Sequence, residues 1–259
     1  MGGTPGKIIL HRMGYFNDQA GILSRYDREK TGWDNHIRSC KSLILRALSL
    51  FEPHNIAVLG SGSLLDLPLG EMASEGRIIK LVDIVPPLPY VREAALFDGV
   101  TFIEADVTGG LISQIYRSTP RSFIKKNINI EALLDFEGYK PPEGTDMVIS
   151  LNIMTQLAAL PVDYLRRKTS ISANEERHIH RTVQQRHLEM LQKYNSVLIT
   201  DYIEQEGMSG EEKSPGPLLE IDLPSGVISE KWEWLFDSHK RYNAGKITSF
   251  MVAGIVFHR

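Results

Sequence analysis

The sequence predicts an α/β fold built on a mostly parallel sheet, and three observations carry this prediction. Five apolar segments suited to buried strands recur along the chain, and polar residues follow each of them. The first segment runs directly into Gly60-Ser61-Gly62, where a turn without side-chain bulk lets the backbone approach a ligand. Two segments near the end are rich in β-branched and aromatic residues and predict a hairpin.

The five strands are predicted to present polar groups at one edge of the sheet. The first, residues 56–59, is apolar throughout, as in a strand buried on both faces of a parallel sheet. The others are predicted at 78–83, 100–106, 146–152 and 196–201, and they end with Asp83, Asp106, Asn152 and Asp201. Ligands bind at the carboxyl edge of such sheets, so these residues are candidates for a binding site.

The glycine turn also bears on the kind of ligand. A dinucleotide site has a third glycine where this chain has Leu65, and a bulky residue there argues against a pyrophosphate. A ligand with an adenosine and no phosphates, such as S-adenosylmethionine, meets no such objection. Asp83 follows the glycines by about 20 residues, the position from which a carboxylate can meet ribose hydroxyls.

With these residues the sequence resembles the class I S-adenosylmethionine-dependent methyltransferases from about residue 56 to the C-terminus. The glycine-rich first motif and the acids after strands two and three match Gly60-Ser61-Gly62, Asp83 and Asp106. The resemblance implies a Rossmann-like three-layer sandwich with seven strands in the order 3-2-1-4-5-7-6. The last strand is antiparallel and belongs to the hairpin predicted at 231–236 and 247–257. The resemblance also implies S-adenosylmethionine as cofactor and S-adenosylhomocysteine as product.

The resemblance implies roles for individual residues. Cofactor-binding candidates are Gly60, Ser61, Gly62, Asp83, Ile84, Asp106, Val107 and Asn152, with Asp83 on the ribose hydroxyls and Asp106 on the adenine amino group. Acceptor-side candidates are His36, Gln156, Asp201 and Tyr202. No catalytic residue is identified, because methyl transfer mainly requires alignment and needs a base only when the acceptor carries a proton.

Two departures from the family pattern keep other functions open. Val58 stands where many members carry an acid, and Leu64 replaces the last glycine of Gly-x-Gly-x-Gly. These departures leave room for a non-catalytic interaction protein that retains the methyltransferase fold. A nicotinamide-dependent oxidoreductase is the other alternative, and both Leu65 and the terminal hairpin disfavour it. The methyl acceptor is expected to be a small molecule or an exposed side chain.

The N-terminal part, residues 1–54, is predicted as a helical segment that packs on the domain formed by 55–259, within one structural domain. Its helix is predicted over 35–51 with Asp34 as N-cap. At the start of this helix His36 is either a residue of the cofactor cleft or an exposed helix-start residue. The next helix is predicted to use Asp66 as N-cap, with Pro68 in its first turn.

The composition of the chain disfavours several other classes of protein. The chain has 259 residues, 42% hydrophobic content and a net charge of −3, so nucleic-acid binding is not expected. The single cysteine, Cys40, lies in an apolar helical stripe and fits a reducing, cytoplasmic setting. No apolar run is long enough for a membrane span.

A helix over 173–194 holds His178, His180 and His187 without a metal-binding histidine pair, so no metal is expected. The segment 205–217 is predicted as a mobile loop.

Overall fold

The computed structural model describes residues 4–120, 127–208 and 214–259. The helices are α1 (Lys7–Met13), α2 (Tyr15–Phe51), α3 (Leu69–Ala73), α4 (Leu88–Ala94), α5 (Leu111–Ser118), α6 (Ile130–Leu133), α7 (Ala159–Lys168) and α8 (Ala173–Leu191). The strands are β1 (Asn55–Leu59), β2 (Ile78–Asp83), β3 (Val100–Glu104), β4 (Met147–Leu151), β5 (Asn195–Gly207), β6 (Ser214–Pro217), β7 (Ile228–Asp237) and β8 (Ile247–Phe257).

All strands belong to one sheet of order β3-β2-β1-β4-β5-β8-β7, with β6 paired to β5 off this path. Strands β1 to β5 are parallel, whereas β8 is antiparallel to both β5 and β7. Because β7 and β8 are the two strands of the predicted hairpin, the predicted order is confirmed. The short strand β6 is an addition that the sequence pattern did not predict.

Apolar side chains cover both faces of the sheet and produce three layers. On one face, Val58 and Ile149 pack with Leu43 of α2 and with residues of α3 and α4. On the other face, Leu59 and Val148 pack with residues of α1, α5, α7 and α8. Neighbouring strand residues therefore enter opposite cores, as the alternation of strand side chains requires. The predicted Rossmann-like α/β sandwich is confirmed.

Helix α2 begins far earlier than predicted. Gly14, with φ 98°, separates α1 from α2, and α2 then runs for 37 residues. Asp34 therefore lies inside a helix and is not an N-cap, so that prediction is wrong. One residue within α2, Glu29, has non-helical dihedral angles (φ −111°, ψ 18°) and divides the helix into two parts. The predicted end is correct, because Phe51 is the last helical residue.

Two further local predictions are wrong. Helix α3 begins at Leu69 with Pro68 as N-cap, so Asp66 does not cap it. The segment predicted as a loop over 205–217 contains the end of β5 and all of β6, which pair antiparallel. The middle of that segment, 209–213, lies outside the described residues. The backbone pairs here because β5 extends beyond the parallel sheet and offers a free edge to β6.

Other predictions about the helices are confirmed. Cys40 is fully buried. Helix α8 ends close to the predicted position, and Ser172 and Glu175 form a capping box at its start. Within the described ranges, no helix has both the length and the apolar character needed to cross a bilayer.

Candidate active site

A cavity of about 400 Å³ lies at the carboxyl edge of the parallel strands. It is lined by Gly60, Ser61, Gly62, Asp83, Ile84, Asp106, Val107 and Asn152, and by His36, Gln156 and Asp201. The structure thus brings together all the predicted site residues but one. Tyr202 lies outside this lining, and its ring instead faces the Lys231 ammonium group, 5.1 Å from the ring centroid.

The turn after β1 has backbone conformations that favour glycine. Gly60 has φ 75°, and a Cβ there would lie 2.0 Å from Cγ2 of Ile153. Gly62 has φ 45°, but its Cβ would meet only the Gly60 carbonyl oxygen, at 3.8 Å, so open space lies beside it. Leu64 has φ 59°, the left-handed conformation that the missing family glycine would adopt easily. Leu64 therefore adopts a backbone conformation that glycine adopts more readily.

Asp83 joins the turn after β1 to the loop after β2. Its Oδ2 accepts the Gly62 backbone N–H at 2.9 Å, and its Oδ1 accepts the Val85 N–H at 2.9 Å. Burial raises the pKa of Asp83, and these backbone donors oppose that rise. The carboxylate is therefore held in place at the cavity wall, beside the open space at Gly62.

Asp106, just after β3, has one carboxylate oxygen paired and the other free. Oδ1 accepts the backbone N–H of Thr108 at 2.9 Å and its hydroxyl at 2.6 Å. Oδ2 is buried and has no hydrogen-bond partner among the described residues, and the same holds for Oγ of Ser61. Burial raises the pKa of Asp106. A buried acceptor without a donor costs about 1–3 kcal/mol, so these atoms are suited to a ligand that donates hydrogen bonds.

His36 is 1% exposed and its ring stacks on Trp234, with centroids 3.9 Å apart. The expectation of an exposed helix-start residue is therefore wrong, because α2 continues well before it. Trp232 donates its indole N–H to His36 Nδ1 at 3.1 Å. Since an indole only donates, Nδ1 is unprotonated and the neutral ring carries its proton on Nε2. Burial lowers the pKa of His36, although Asp66 opposes this, and keeps the ring neutral.

Asn152 lies between His36 and Asp66, with φ 51°. Its Nδ2 donates to Asp66 Oδ2 at 2.7 Å, and this contact sets the amide orientation, since an ionised carboxylate only accepts. The same Nδ2 lies 3.1 Å from His36 Nε2, a contact between two donors that no hydrogen bond stabilises. Oδ1 of Asn152 is left buried without a partner among the described residues.

His36, Cys40 and Asp66 place three potential ligand atoms within 4.8 Å of one another. A metal would require an unprotonated nitrogen and a thiolate. Trp232 keeps the proton of the neutral ring on Nε2, the nitrogen 3.5 Å from Cys40 Sγ, and burial raises the pKa of Cys40 well above its usual value. A metal ion would therefore have to displace the protons of both His36 Nε2 and the Cys40 thiol.

Asp201 is a buried acid on β5. Thr155 donates its hydroxyl to Asp201 Oδ1 at 2.6 Å. Burial raises the pKa of Asp201 to about 6, and Glu204 adds to the rise while Thr155 opposes it. At neutral pH the group is ionised yet close enough to its pKa to accept and release a proton.

The sequence predicts Trp33 beside the cofactor cleft, but it did not predict the aromatic residues that the terminal hairpin contributes to the cavity. Trp33, Trp234, Phe236, Tyr242 and Phe250 line it, and their rings contact one another, as in the pair of Phe236 and Phe250 with centroids 4.7 Å apart. From α2 come Tyr15, Asp18, Gln19, Ile22 and Arg25. The helical spacing of these five residues is a usable signal, but the face mixes polar and apolar residues and so lacks a hydrophobic period.

No protein-family model and no curated protein matches the sequence. Among solved structures, the chain is similar to the 1,6-didemethyltoxoflavin-N1-methyltransferase of Burkholderia thailandensis with bound 1,6-didemethyltoxoflavin and S-adenosylhomocysteine. The identity is 13% and the TM-score 0.36, over 92% of this chain and 89% of that one.

It is also similar to a SAM-dependent methyltransferase of Agrobacterium tumefaciens, with 12% identity and TM-score 0.33, over 87% of this chain and 62% of that one. A third similarity is to the plantazolicin methyltransferase BpumL in complex with a pentazolic desmethylPZN analog and SAH. There the identity is 14% and the TM-score 0.32, over 75% and 79% of the two chains. Likenesses this distant carry no argument, so the fold assignment rests on the strand order.

Proposed function

We propose that this protein is an S-adenosylmethionine-dependent methyltransferase that acts on a small molecule. The carrying observation is the set of unpaired, buried acceptor atoms in the cavity: Ser61 Oγ, Asp106 Oδ2 and Asn152 Oδ1. S-adenosylmethionine presents an adenine amino group, ribose hydroxyls and an ammonium group, which are the donors that such acceptors require. When bound, it supplies a methyl group activated by a sulfonium.

Each cofactor residue has a role in this proposal. Asp106 accepts from the adenine amino group, with Ile84 and Val107 as apolar neighbours of the ring. Asp83 accepts from the ribose hydroxyls, and the open space beside Gly62 admits the ligand close to the backbone. Ser61 and Asn152 accept from the methionyl end. The fixed positions of Asp83 and Asn152 support these roles, since both are held by hydrogen bonds.

On the acceptor side, Asp201 is the candidate base. If the acceptor carries its proton on nitrogen or oxygen, that proton passes to the Asp201 carboxylate as the methyl group is gained. Gln156 and His36 line the same cavity. His36 is not suited to the role of base, because its accepting nitrogen, Nδ1, is already occupied by the Trp232 N–H.

Calorimetric titration with S-adenosylmethionine, S-adenosylhomocysteine and NAD tests the proposal. We expect heat with both sulfur compounds and none with NAD. Asp106→Asn places an amide near the adenine amino group and should weaken S-adenosylhomocysteine binding about tenfold or more. Asp98→Asn, at an exposed turn, is the matched control and should bind normally. A folded protein that binds neither sulfur compound would contradict the proposal.

A further inference from the structure

The lining residues Arg25 and Trp234 leave donors unpaired beside β7, whereas the unpaired buried acceptor of that strand, Asp237 Oδ1, lies outside the lining. Trp234 is 8% exposed and lines the cavity, and its indole N–H has no partner among the described residues. Nε of Arg25 is also buried without a partner. Strand β7 and strand β3, which precedes Asp106, are the two ends of the sheet order. The two ends of the site thus have opposite hydrogen-bonding requirements.

Arg25 is held by aromatic rings and not by a carboxylate. Its guanidinium carbon lies 4.4 Å from the Phe236 ring centroid and 5.0 Å from that of Tyr242. No carboxylate of the described residues forms an ion pair with it. Burial lowers the pKa of Arg25, whereas Tyr242 and Asp18 raise it. A partly desolvated cation without a paired anion is suited to a ligand that supplies the negative charge.

The acids that line this part of the cavity do not form ion pairs with Arg25, so its guanidinium can pair with a ligand. Asp201 accepts from Thr155, and Glu204 Oε1 accepts from Asn243 Nδ2 at 2.8 Å. Asp18, and the buried Asp237 of β7, act on Arg25 from a distance and raise its pKa. Among the described residues, none of these four acids forms an ion pair with the guanidinium.

The lining of this region favours an aromatic ligand of small size. Trp33, Phe236 and Phe250 line the cavity, and aromatic side chains favour stacked or edge-on contact with another ring. Residues of α2 from Tyr15 to Ile37, Trp33 among them, line the cavity together with the hairpin. A cavity walled by both a helix and the hairpin admits a small molecule more readily than a side chain on another folded protein.

Resting on the proposed function, we propose that the methyl acceptor is a conjugated ring compound with an anionic oxygen edge, which Arg25 and Trp234 bind. The ring packs against the aromatic wall. Its charged edge pairs with the guanidinium and the indole N–H, and the atom to be methylated lies toward the cofactor residues. Specificity then rests on residues of α2 and β7, outside the glycine turn and the strand-end acids.

Three probes of similar size test this assignment: 4-hydroxybenzoate, its neutral analogue 4-hydroxybenzamide, and the non-aromatic anion cyclohexanecarboxylate. Their binding is measured by saturation-transfer NMR, with and without saturating S-adenosylhomocysteine. We expect 4-hydroxybenzoate to bind about tenfold more tightly than either of the others. Arg25→Met should remove that preference, and Trp234→Phe, which keeps a ring but no N–H, should reduce it.

Arg38→Met is the matched control, because Arg38 is an exposed arginine of the same helix that donates to the Asp34 carbonyl and does not line the cavity. Equal binding of the three probes, or equal effects of the Arg25 and Arg38 variants, would overturn the inference while S-adenosylhomocysteine binding still supports the proposed function. Arg25-dependent probe binding without any S-adenosylhomocysteine binding would overturn the proposed function and the acceptor assignment that rests on it. The two failures are therefore distinguishable.

Discussion

Asp106 and Asp201 are both buried acids at the carboxyl edge of the sheet, but their surroundings suit them to different tasks. Asp106 is fixed by Thr108 and keeps one unpaired oxygen, which suits recognition of a donor. Asp201 has a pKa of about 6, which suits exchange of a proton near neutral pH. The same residue type is therefore suited to binding in one place and to proton transfer in the other, because burial and hydrogen bonding differ.

The raised pKa of Asp201 makes a prediction about stability. A carboxyl group whose pKa is higher in the folded state stabilises the protein at low pH, and this contribution is lost as the pH rises from about 4 to about 6. Asp201→Asn should therefore be more stable than the wild type at pH 8, by up to about 3 kcal/mol, with a smaller difference at pH 5. Urea unfolding at the two pH values measures this. A constant difference, like that of the exposed control Asp98→Asn, would refute it.

The lowered pKa of His187 predicts the opposite dependence of stability on pH. Burial lowers its pKa to about 4, and its Nε2 lies 2.8 Å from the Ser150 hydroxyl. A base with a lowered pKa stabilises the folded state above its unfolded pKa of about 6.5, and this contribution is lost as the pH falls toward 4. The wild type should lose up to about 3 kcal/mol over that range, and His187→Gln should lack this slope. Unfolding curves measured over this pH range compare His187→Gln with His54→Gln. The latter is an exposed control in which stability should still fall with pH.

At this scale the sequence predicted which residues after the strands line the cavity, but not Arg25 or Trp234. Gly60, Asp83 and Asp106 are recognisable because each follows its own strand at a predictable position. Arg25 and Trp234 have no such local marker, since their role depends on a helix and a hairpin meeting over the cavity. Tyr202 was chosen only because it follows a strand, and the structure places it outside the lining.

Among the elements, α2 combines two functions in one helix. Its C-terminal part packs on the sheet through Cys40, Leu43 and Ala47, whereas its N-terminal part, together with Trp33 and His36, lines the cavity. The break between the two parts lies at Glu29, whose carboxylate accepts hydrogen bonds from Ser238 and His239 after β7. This contact connects the helix to the hairpin that supplies the aromatic wall.

Glu29→Gln tests that connection. Burial acts to raise the pKa of Glu29, but hydrogen bonds from Ser238 and His239 lower it to about 2, so the ionised form is stabilised in the folded protein. We expect the variant to lose roughly 2 kcal/mol of stability at pH 7, the scale of charged hydrogen bonds. Amide exchange should also increase in the N-terminal part of α2. Asp27→Asn, an exposed neighbour, serves as control, and equal losses in both variants would contradict the role of Glu29.

The errors at the element scale have a common cause. Asp34 resembles an N-cap and so predicts a helix start at residue 35, whereas the preceding part of α2 lines a cavity with a face that mixes polar and apolar residues. Strand β6 contains two prolines in four residues, a composition that argues for a loop, and it forms only because the end of β5 offers an unpaired edge. Both elements depend on neighbours that local propensity does not include.

For the molecule as a whole, cofactor binding should appear as thermal stabilisation. A ligand at a hundred times its dissociation constant adds about 2.7 kcal/mol, which corresponds to roughly 5–10 °C in Tm for a chain of this size. S-adenosylhomocysteine should therefore raise the Tm, and NAD should not. Differential scanning fluorimetry measures both, and Asp106→Asn should show a reduced shift. A Tm that responds equally to the two compounds would refute selective binding.

The sequence by itself determined the parallel strands and the acids at their edge, because these follow from strand-length apolar runs and turn glycines, and the resemblance to class I methyltransferases implied the strand order. Only the tertiary structure decided how the acceptor side is built. The Trp232–His36 and Trp33–Phe236 hydrogen bonds join residues 196 and 203 positions apart, and no local pattern specifies such pairs. They form because packing α2 on β7 leaves these polar groups buried, and each buried donor requires an acceptor.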